Sequence, residues 1–422
     1  GGFAADGRVT AQRTDGYRHH SGNEAKSTYL SAGWFGDRDA LKLSGFAGLS
    51  GTHMAYYASP ESVLRSDPQD NPLSTAEGDL FHQEMASLQW THAFTDGIRT
   101  TLTTYRNSAA GAYDVNFGSG PYANYALAHV WLGAIGTLQV ARDAWTLDAG
   151  FHVSDYHREH ALAMRPTLTS RLYDDAGYKQ EQSAFGKVGY TTGDWRFAAD
   201  VQLRRAAFQY HPSVGAGISP FGTDWTFLNP KLSVAYTVRP GVELFGSWGR
   251  TGREPARADL FAGADDIDVT TVGSVLPLTR VQPEDLDDFE GGIRWRTARA
   301  TLTANLFDME FRNEVLAIGT ISLTGNPLRK NVDRSYRRGV ELDGTWQLSD
   351  EWSTTANLTV MTARIASYRD DAAAKTYVNV APIATPPVLF NHRLQYRASS
   401  SMSWDVGTRF QDRGQLANDG NA

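Results

Sequence analysis

No cysteine occurs anywhere in the 422 residues. That single absence removes disulfide frameworks, thiolate zinc sites, iron–sulfur clusters and cysteine nucleophiles together. Basic excess is missing too: 40 Lys and Arg face 47 Asp and Glu, a formal charge of −7. A general nucleic-acid binder would want a basic face, so nucleic acid is not an expected partner. A membrane-spanning helix is also lacking. One stretch without Asp, Glu, Lys or Arg, Tyr122 to Ala141, reaches the roughly 20 residues that a bilayer needs, but Asn124, His129, Gly133, Gly136 and Gln139 interrupt it. Gly1-Gly2-Phe3 shows no charged n-region or apolar h-region, so no signal peptide is visible.

What the chain does have is a period of two. Val340, Leu342, Gly344 and Trp346 alternate with Glu341, Asp343, Thr345 and Gln347. Trp195, Phe197, Ala199, Val201 and Leu203 alternate with Arg196, Ala198, Asp200, Gln202 and Arg204. Phe289, Gly291, Ile293 and Trp295 oppose Asp288, Glu290, Gly292, Arg294 and Arg296. Residues two apart share a face of a strand, so each segment predicts one apolar and one hydrophilic face. Trp195, Trp248, Trp295, Trp346, Trp352 and Trp404 are placed near strand ends, as interfacial aromatics are.

The connections alternate as well. Short Asp-, Gly-, Pro- and Ser-containing turns fall near Gly36–Asp39, Thr95–Gly97, Ala141–Asp143, Thr192–Asp194, Arg239–Gly241, Arg296–Arg299, Leu348–Glu351 and Ala398–Ser401. Between them lie long polar stretches at 50–83, 107–124, 153–180, 205–228, 250–286, 312–334 and 365–387. Structureless connections beyond about 12–15 residues are uncommon in compact soluble domains. Short turns on one rim and long loops on the other are the mark of a transmembrane β-barrel. A propeller would repeat a motif every 40–50 residues or so, and none is found. The pattern therefore predicts an all-β, antiparallel transmembrane barrel of about seventeen strands, each of roughly 9–14 residues. Bacterial single-chain barrels normally have even strand numbers; the odd count, with a strand at Arg8–Thr14 near the start and another closing at residue 410, leads us to expect a barrel truncated at both ends. Arg294 turned toward acyl chains near the midplane would cost about 2–4 kcal/mol, which sends the hydrophilic faces into the lumen.

Several local motifs then resemble the TonB-dependent outer-membrane receptors. Gln12-Arg13-Thr14-Asp15-Gly16-Tyr17-Arg18-His19-His20-Ser21 is similar to an early barrel strand and loop of that family. Ser247-Trp248-Gly249-Arg250-Thr251-Gly252-Arg253-Glu254-Pro255-Ala256-Arg257-Ala258-Asp259-Leu260-Phe261 resembles its mid-barrel segment. Pro283-Glu284 with Glu290-Gly291, and Asn331-Val332 with Arg338-Gly339-Val340-Glu341-Leu342, resemble two later landmarks in the same order. The resemblance implies a 22-stranded barrel of which residues 1–422 are a part, a plug domain within it, and a TonB box that couples uptake to the inner-membrane energising complex. Plug, TonB box and a final aromatic-ended strand are not found in this sequence. The stretch around Tyr56-Tyr57 and Asn71-Pro72-Leu73 reads like receptors for ferric siderophores or ferric chelates. The expected function is energy-coupled import of such a chelate, with TonB and outer-membrane lipid as partners. A passive porin-like channel, and receptors for cobalamin, haem or a glycan, are the alternatives.

No catalytic set is present: the 11 His are scattered, and neither His-Glu-x-x-His nor a nucleophile elbow occurs. Nothing in the sequence asks for a resident cofactor or metal. His19-His20 reads as solvated loop, and Asp265-Asp266-Ile267-Asp268 lacks the spacing of a calcium loop. Recognition belongs to loops held on a rigid wall, where Arg can grip carboxylates and aromatics offer flat hydrogen-bonding platforms. The ligand-binding candidates are His53, Tyr56, Tyr57 and Arg65 in the first long loop, Tyr113 and Phe117 in the second, and Tyr210 and Trp225 in the fourth. Arg253 and Arg257 are expected to fix a strand-to-loop exit.

Overall fold

A computed structural model describes residues 1–55, 57–73, 76–116, 121–272, 281–321, 327–371 and 373–420. Eighteen strands are formed: β1 (Gly2–Thr14), β2 (Asn23–Phe35), β3 (Asp39–His53), β4 (Gly78–Thr95), β5 (Ile98–Val115), β6 (Ala123–Arg142), β7 (Trp145–Met164), β8 (Thr167–Thr192), β9 (Trp195–His211), β10 (Phe221–Arg239), β11 (Val242–Arg253), β12 (Glu284–Arg296), β13 (Ala300–Ile321), β14 (Pro327–Gln347), β15 (Trp352–Asp370), β16 (Lys375–Val380), β17 (Val388–Arg397) and β18 (Ser403–Gln411). Two single-turn helices, α1 (Glu61–Leu64) and α2 (Arg257–Leu260), sit in long connections. Among the described residues no helix is long and apolar enough to cross a membrane.

All eighteen strands belong to one antiparallel sheet in which each hairpin follows the last. β15 is shared: its first half pairs with β17 and its second half with β16. All eight turns expected from the sequence are short hairpin connections. Gly241 shows why the residue type matters there. Its φ is +82°, and a Cβ would meet the Arg296 carbonyl at 2.3 Å.

The expected faces hold across the sheet. Val201 and Leu203 of β9 lie opposite Pro230 and Leu228 of β10, and Trp248 of β11 lies opposite Phe289 of β12. Leu302 and Leu306 of β13 face Gly344 and Val340 of β14. This apolar face is bare: Leu203, Leu228, Leu232, Phe289 and Leu306 are all exposed. Among the described residues no second layer packs on it. Such a surface far exceeds the few hundred Å² that a soluble monomer tolerates, and it is what hydrocarbon would cover.

Both borders of the apolar belt are marked. At the short-turn rim Trp145 packs on Tyr190, Trp195 on Tyr236 and Trp352 on Tyr396, with ring centroids 4.3, 4.5 and 4.5 Å apart. At the other border the same face turns ionic. Arg250 grips Asp287 at 2.8 and 2.9 Å, Arg312 meets it at 3.4 Å, and the Trp248 indole N–H donates to it at 3.3 Å. Arg338–Asp308 at 2.8 Å and Arg205–Asp224 at 3.2 Å continue the ring. Trp248 therefore belongs to the upper border, away from the short turns that hold the other five sequence-flagged tryptophans.

Two expectations need correction. The described residues form eighteen strands where about seventeen were expected, and strands reach 26 residues, because the hairpins rise well beyond the belt. The stretch expected as a loop at 153–180 is almost entirely β7 and β8, joined at Arg165-Pro166. Beyond the belt both faces are wet, so the apolar–polar alternation that reveals a strand fades while the backbone ladder continues.

Candidate functional site

The long-loop rim gathers a cup of aromatic and charged side chains on the polar face. β5 and β6 bring Tyr113 opposite Tyr125. β7 and β8 bring His160 opposite Asp175, and β9 adds Tyr210 opposite Gly177, two residues along from Asp175. The Tyr113 and Tyr125 rings stack at 4.9 Å and 12°. Tyr125 lies 6.1 Å from His160, and Tyr173 meets His160 edge-on at 5.3 Å. Leu73 and Val115 pack beneath the tyrosines, with Tyr57 against the same cluster.

The connection after β11 folds across this cup. Leu260, Phe261 and Ile267 bury against Phe208 and Tyr210, with Trp225 at the edge. One hydroxyl ties loop to wall: Tyr210 donates to Asp175 Oδ2 at 3.1 Å and accepts from the Ile267 backbone N–H at 3.0 Å. Arg257 lies 4.9 Å over the Phe261 ring, donates to the Asp265 carbonyl and stands 3.8 Å from Asp175. Arg158 donates to His160 Nδ1 at 3.4 Å.

The segment Arg253–Phe261 anchors that loop. Arg253 grips Glu284 at 2.7 and 2.8 Å. Glu254 takes Arg204 at 2.6 and 2.8 Å and Lys179 at 2.5 Å. Asp259 accepts from the Ala256 N–H at 2.8 Å, capping α2. The Arg204 pairing extends along the wall through Glu181 at 2.9 Å, then His152 at 3.5 Å and Tyr105 at 2.8 Å. Five strands or loops are thereby fastened by one polar chain.

These surroundings shift the titrations. Burial pushes His160 down to about 3, with the cations Arg158 and Arg257 adding to it, so the imidazole is neutral. Burial raises Asp175 to about 6 against the pull of Arg257 and Tyr210. Burial also opposes ionisation of Glu254, yet the Arg204 and Lys179 bonds hold it down at about 2. The Tyr113 and Tyr210 hydroxyls are raised by burial and stay protonated. The cup thus offers neutral hydroxyls and a neutral imidazole beside two guanidinium groups.

Of the sequence candidates, Tyr57, Tyr113, Tyr210 and Trp225 lie in or beside the cup. His53 is elsewhere, stacked on His20 at 4.5 Å. Arg65 points to solvent from α1 and pairs with Glu61 at 2.7 Å. Tyr56 and Phe117 lie outside the described residues. Among the described residues no three His or acidic side chains converge as a metal site. The sequence reading missed His160, Asp175, Arg158, Tyr125 and Tyr173, which pattern alone does not link. Arg257, expected to fix a strand-to-loop exit, holds the Asp265 carbonyl of its own loop and also lines the cup.

The profile of the family described as "TonB dependent receptor-like, beta-barrel" matches residues 11–422. The chain belongs to that family. The TonB-dependent receptor barrel is housed in the Gram-negative outer membrane, so the bare apolar face meets lipid, the short turns face the periplasm and the cup opens to the outside. Similar solved structures include the ferric citrate transporter FecA in the unliganded form, with 12% identity, a TM-score of 0.80, and coverage of 99% of this chain and 62% of that one. The siderophore receptor PiuA from Acinetobacter baumannii follows at 12% identity and a TM-score of 0.74, covering 99% of this chain and 69% of that one. The copper transporter OprC is 14% identical with a TM-score of 0.75, covering 97% and 62%. At these identities the likeness concerns the fold. The chain spans less than two thirds of the FecA chain. No curated protein sequence matches it.

Proposed function

We propose that residues 1–422 are the barrel part of a longer outer-membrane receptor that imports a ferric siderophore or similar metal chelate. The single observation behind this reading is the cup: aromatic faces, protonated tyrosine hydroxyls and guanidinium groups converge at the outer mouth of a polar lumen. Chelates carry oxygen-rich rims and flat rings, which those groups bind through charge-assisted hydrogen bonds and stacking. Binding at the cup and passage along the lumen form no covalent bond with the cargo. The structural relatives named as ferric citrate and siderophore proteins support the choice of cargo. Energy would enter through TonB and its inner-membrane complex, acting on a plug that the family places inside the barrel.

Cells carrying the full receptor as their sole iron-chelate route test this reading. Uptake of radiolabelled ferric chelates should stop when a protonophore dissipates the proton motive force or when TonB is deleted. Uptake that persists under both conditions would identify a passive channel instead.

A further inference from the structure

The cup's cations are under-neutralised compared with the arginines that fasten the neighbouring wall and loop. Arg204, Arg250 and Arg253 each make charged contacts of 2.9 Å or less. Among the described residues Arg158, half-buried on β7, has the His160 nitrogen at 3.4 Å as its one hydrogen-bond partner, and no carboxylate comes within 4.0 Å of it. Arg257, deeper still, reaches Asp175 only at 3.8 Å and otherwise donates to a backbone carbonyl. A partly desolvated guanidinium without a close anion is costly, and that cost is recovered when an anion arrives. His160 adds no third cation: accepting from Arg158 leaves its Nδ1 unprotonated, and the ring is neutral.

The loop supplies the opposing charge. Asp266 sits between Asp265, whose carbonyl is held by Arg257, and Ile267, whose N–H is held by Tyr210. Its carboxyl is raised by burial and by the neighbouring Asp268 and Asp265, as an acid crowded by other acids should be.

We infer that Arg158 and Arg257 select the cargo by charge, so that the chelate is anionic and presents carboxylate or phenolate oxygens to them, while Asp266 repels it. This rests on the chelate-import reading and narrows it. The full receptor, purified in detergent, is titrated with ferric citrate, an anionic ferric tris-catecholate and the cationic hydroxamate chelate ferrioxamine B. At least one anionic chelate should bind and ferrioxamine B should not. Arg158→Gln should weaken the anionic chelate by about ten- to one-hundred-fold, the scale of a hydrogen bond to a charged group. Arg158→Lys should fall between the two, and Asp266→Asn should tighten binding. These opposite shifts separate charge selection from a folding defect, which would weaken binding in every variant. Ferrioxamine B binding as tightly as the anionic chelates, or Arg158→Gln leaving their affinity unchanged, overturns the inference alone. Binding of none of the three overturns chelate import as well.

Discussion

Tyr210 does two jobs with one oxygen. Its hydroxyl donates to Asp175 and accepts from the Ile267 N–H, joining the wall to the loop that crosses the cup. Tyr210→Phe keeps the ring contacts but orphans that buried N–H, a loss of about 1–3 kcal/mol. Amide exchange in 264–272 should therefore speed up by about five- to one-hundred-fold, with the belt strands unaffected. An unchanged loop would show that the hydroxyl is not its anchor. The pH response follows from two carboxyls of opposite sign. Glu254 falls from 4.5 to about 2 in the fold, so its contribution is present above 4.5 and is lost as pH drops toward 2. Asp175 rises from 3.8 to about 6, so the fold holds the extra proton and loses stability as pH climbs from 3.8 through 6. Loop docking, read by a 19F label on Trp225 at the edge of the loop cluster, should be firmest near pH 4. Glu254→Gln should flatten the acid limb and Asp175→Asn the upper one. A docking profile that does not change with pH would contradict both assignments.

The strands show how far a sequence pattern carries. Within the apolar belt the period of two placed each face: Phe289, Ile293 and Trp295 share one face and Glu290 and Arg294 the other, because lipid on one side and water on the other force alternation. Beyond the belt that contrast disappears, and β7 and β8 run to Met164 and from Thr167 through a stretch expected to be loop. The site was legible only in its aromatics. Tyr113 and Tyr210 stand out as exposed-loop aromatics in sequence. His160, Asp175 and Arg257 meet only because two strands pair and a later loop folds back, and no spacing encodes that. Belt and lumen should also respond differently to charge. Val201→Arg on the apolar face should destabilise the barrel by about 2–4 kcal/mol if it lies near the midplane, measured by denaturant titration in lipid vesicles. Asp200→Asn on the adjacent lumenal position should change it far less. Equal costs would mean that both faces share one environment.

For the whole molecule, a single sheet of eighteen strands with one face unpacked makes sense only with lipid as its second layer. Family membership agrees with that reading, and the cup at the outer mouth then faces the medium from which a chelate would arrive. Because the chain has no cysteine, single-cysteine spin labels along 196–203 report without background. In vesicles, membrane-dissolved oxygen should reach labels at 197, 199, 201 and 203, and a water-soluble nickel chelate should reach those at 196, 198, 200 and 202. A strict alternation of the two quenchers is the predicted result. Labels on both faces shielded from oxygen and nickel alike would contradict the account.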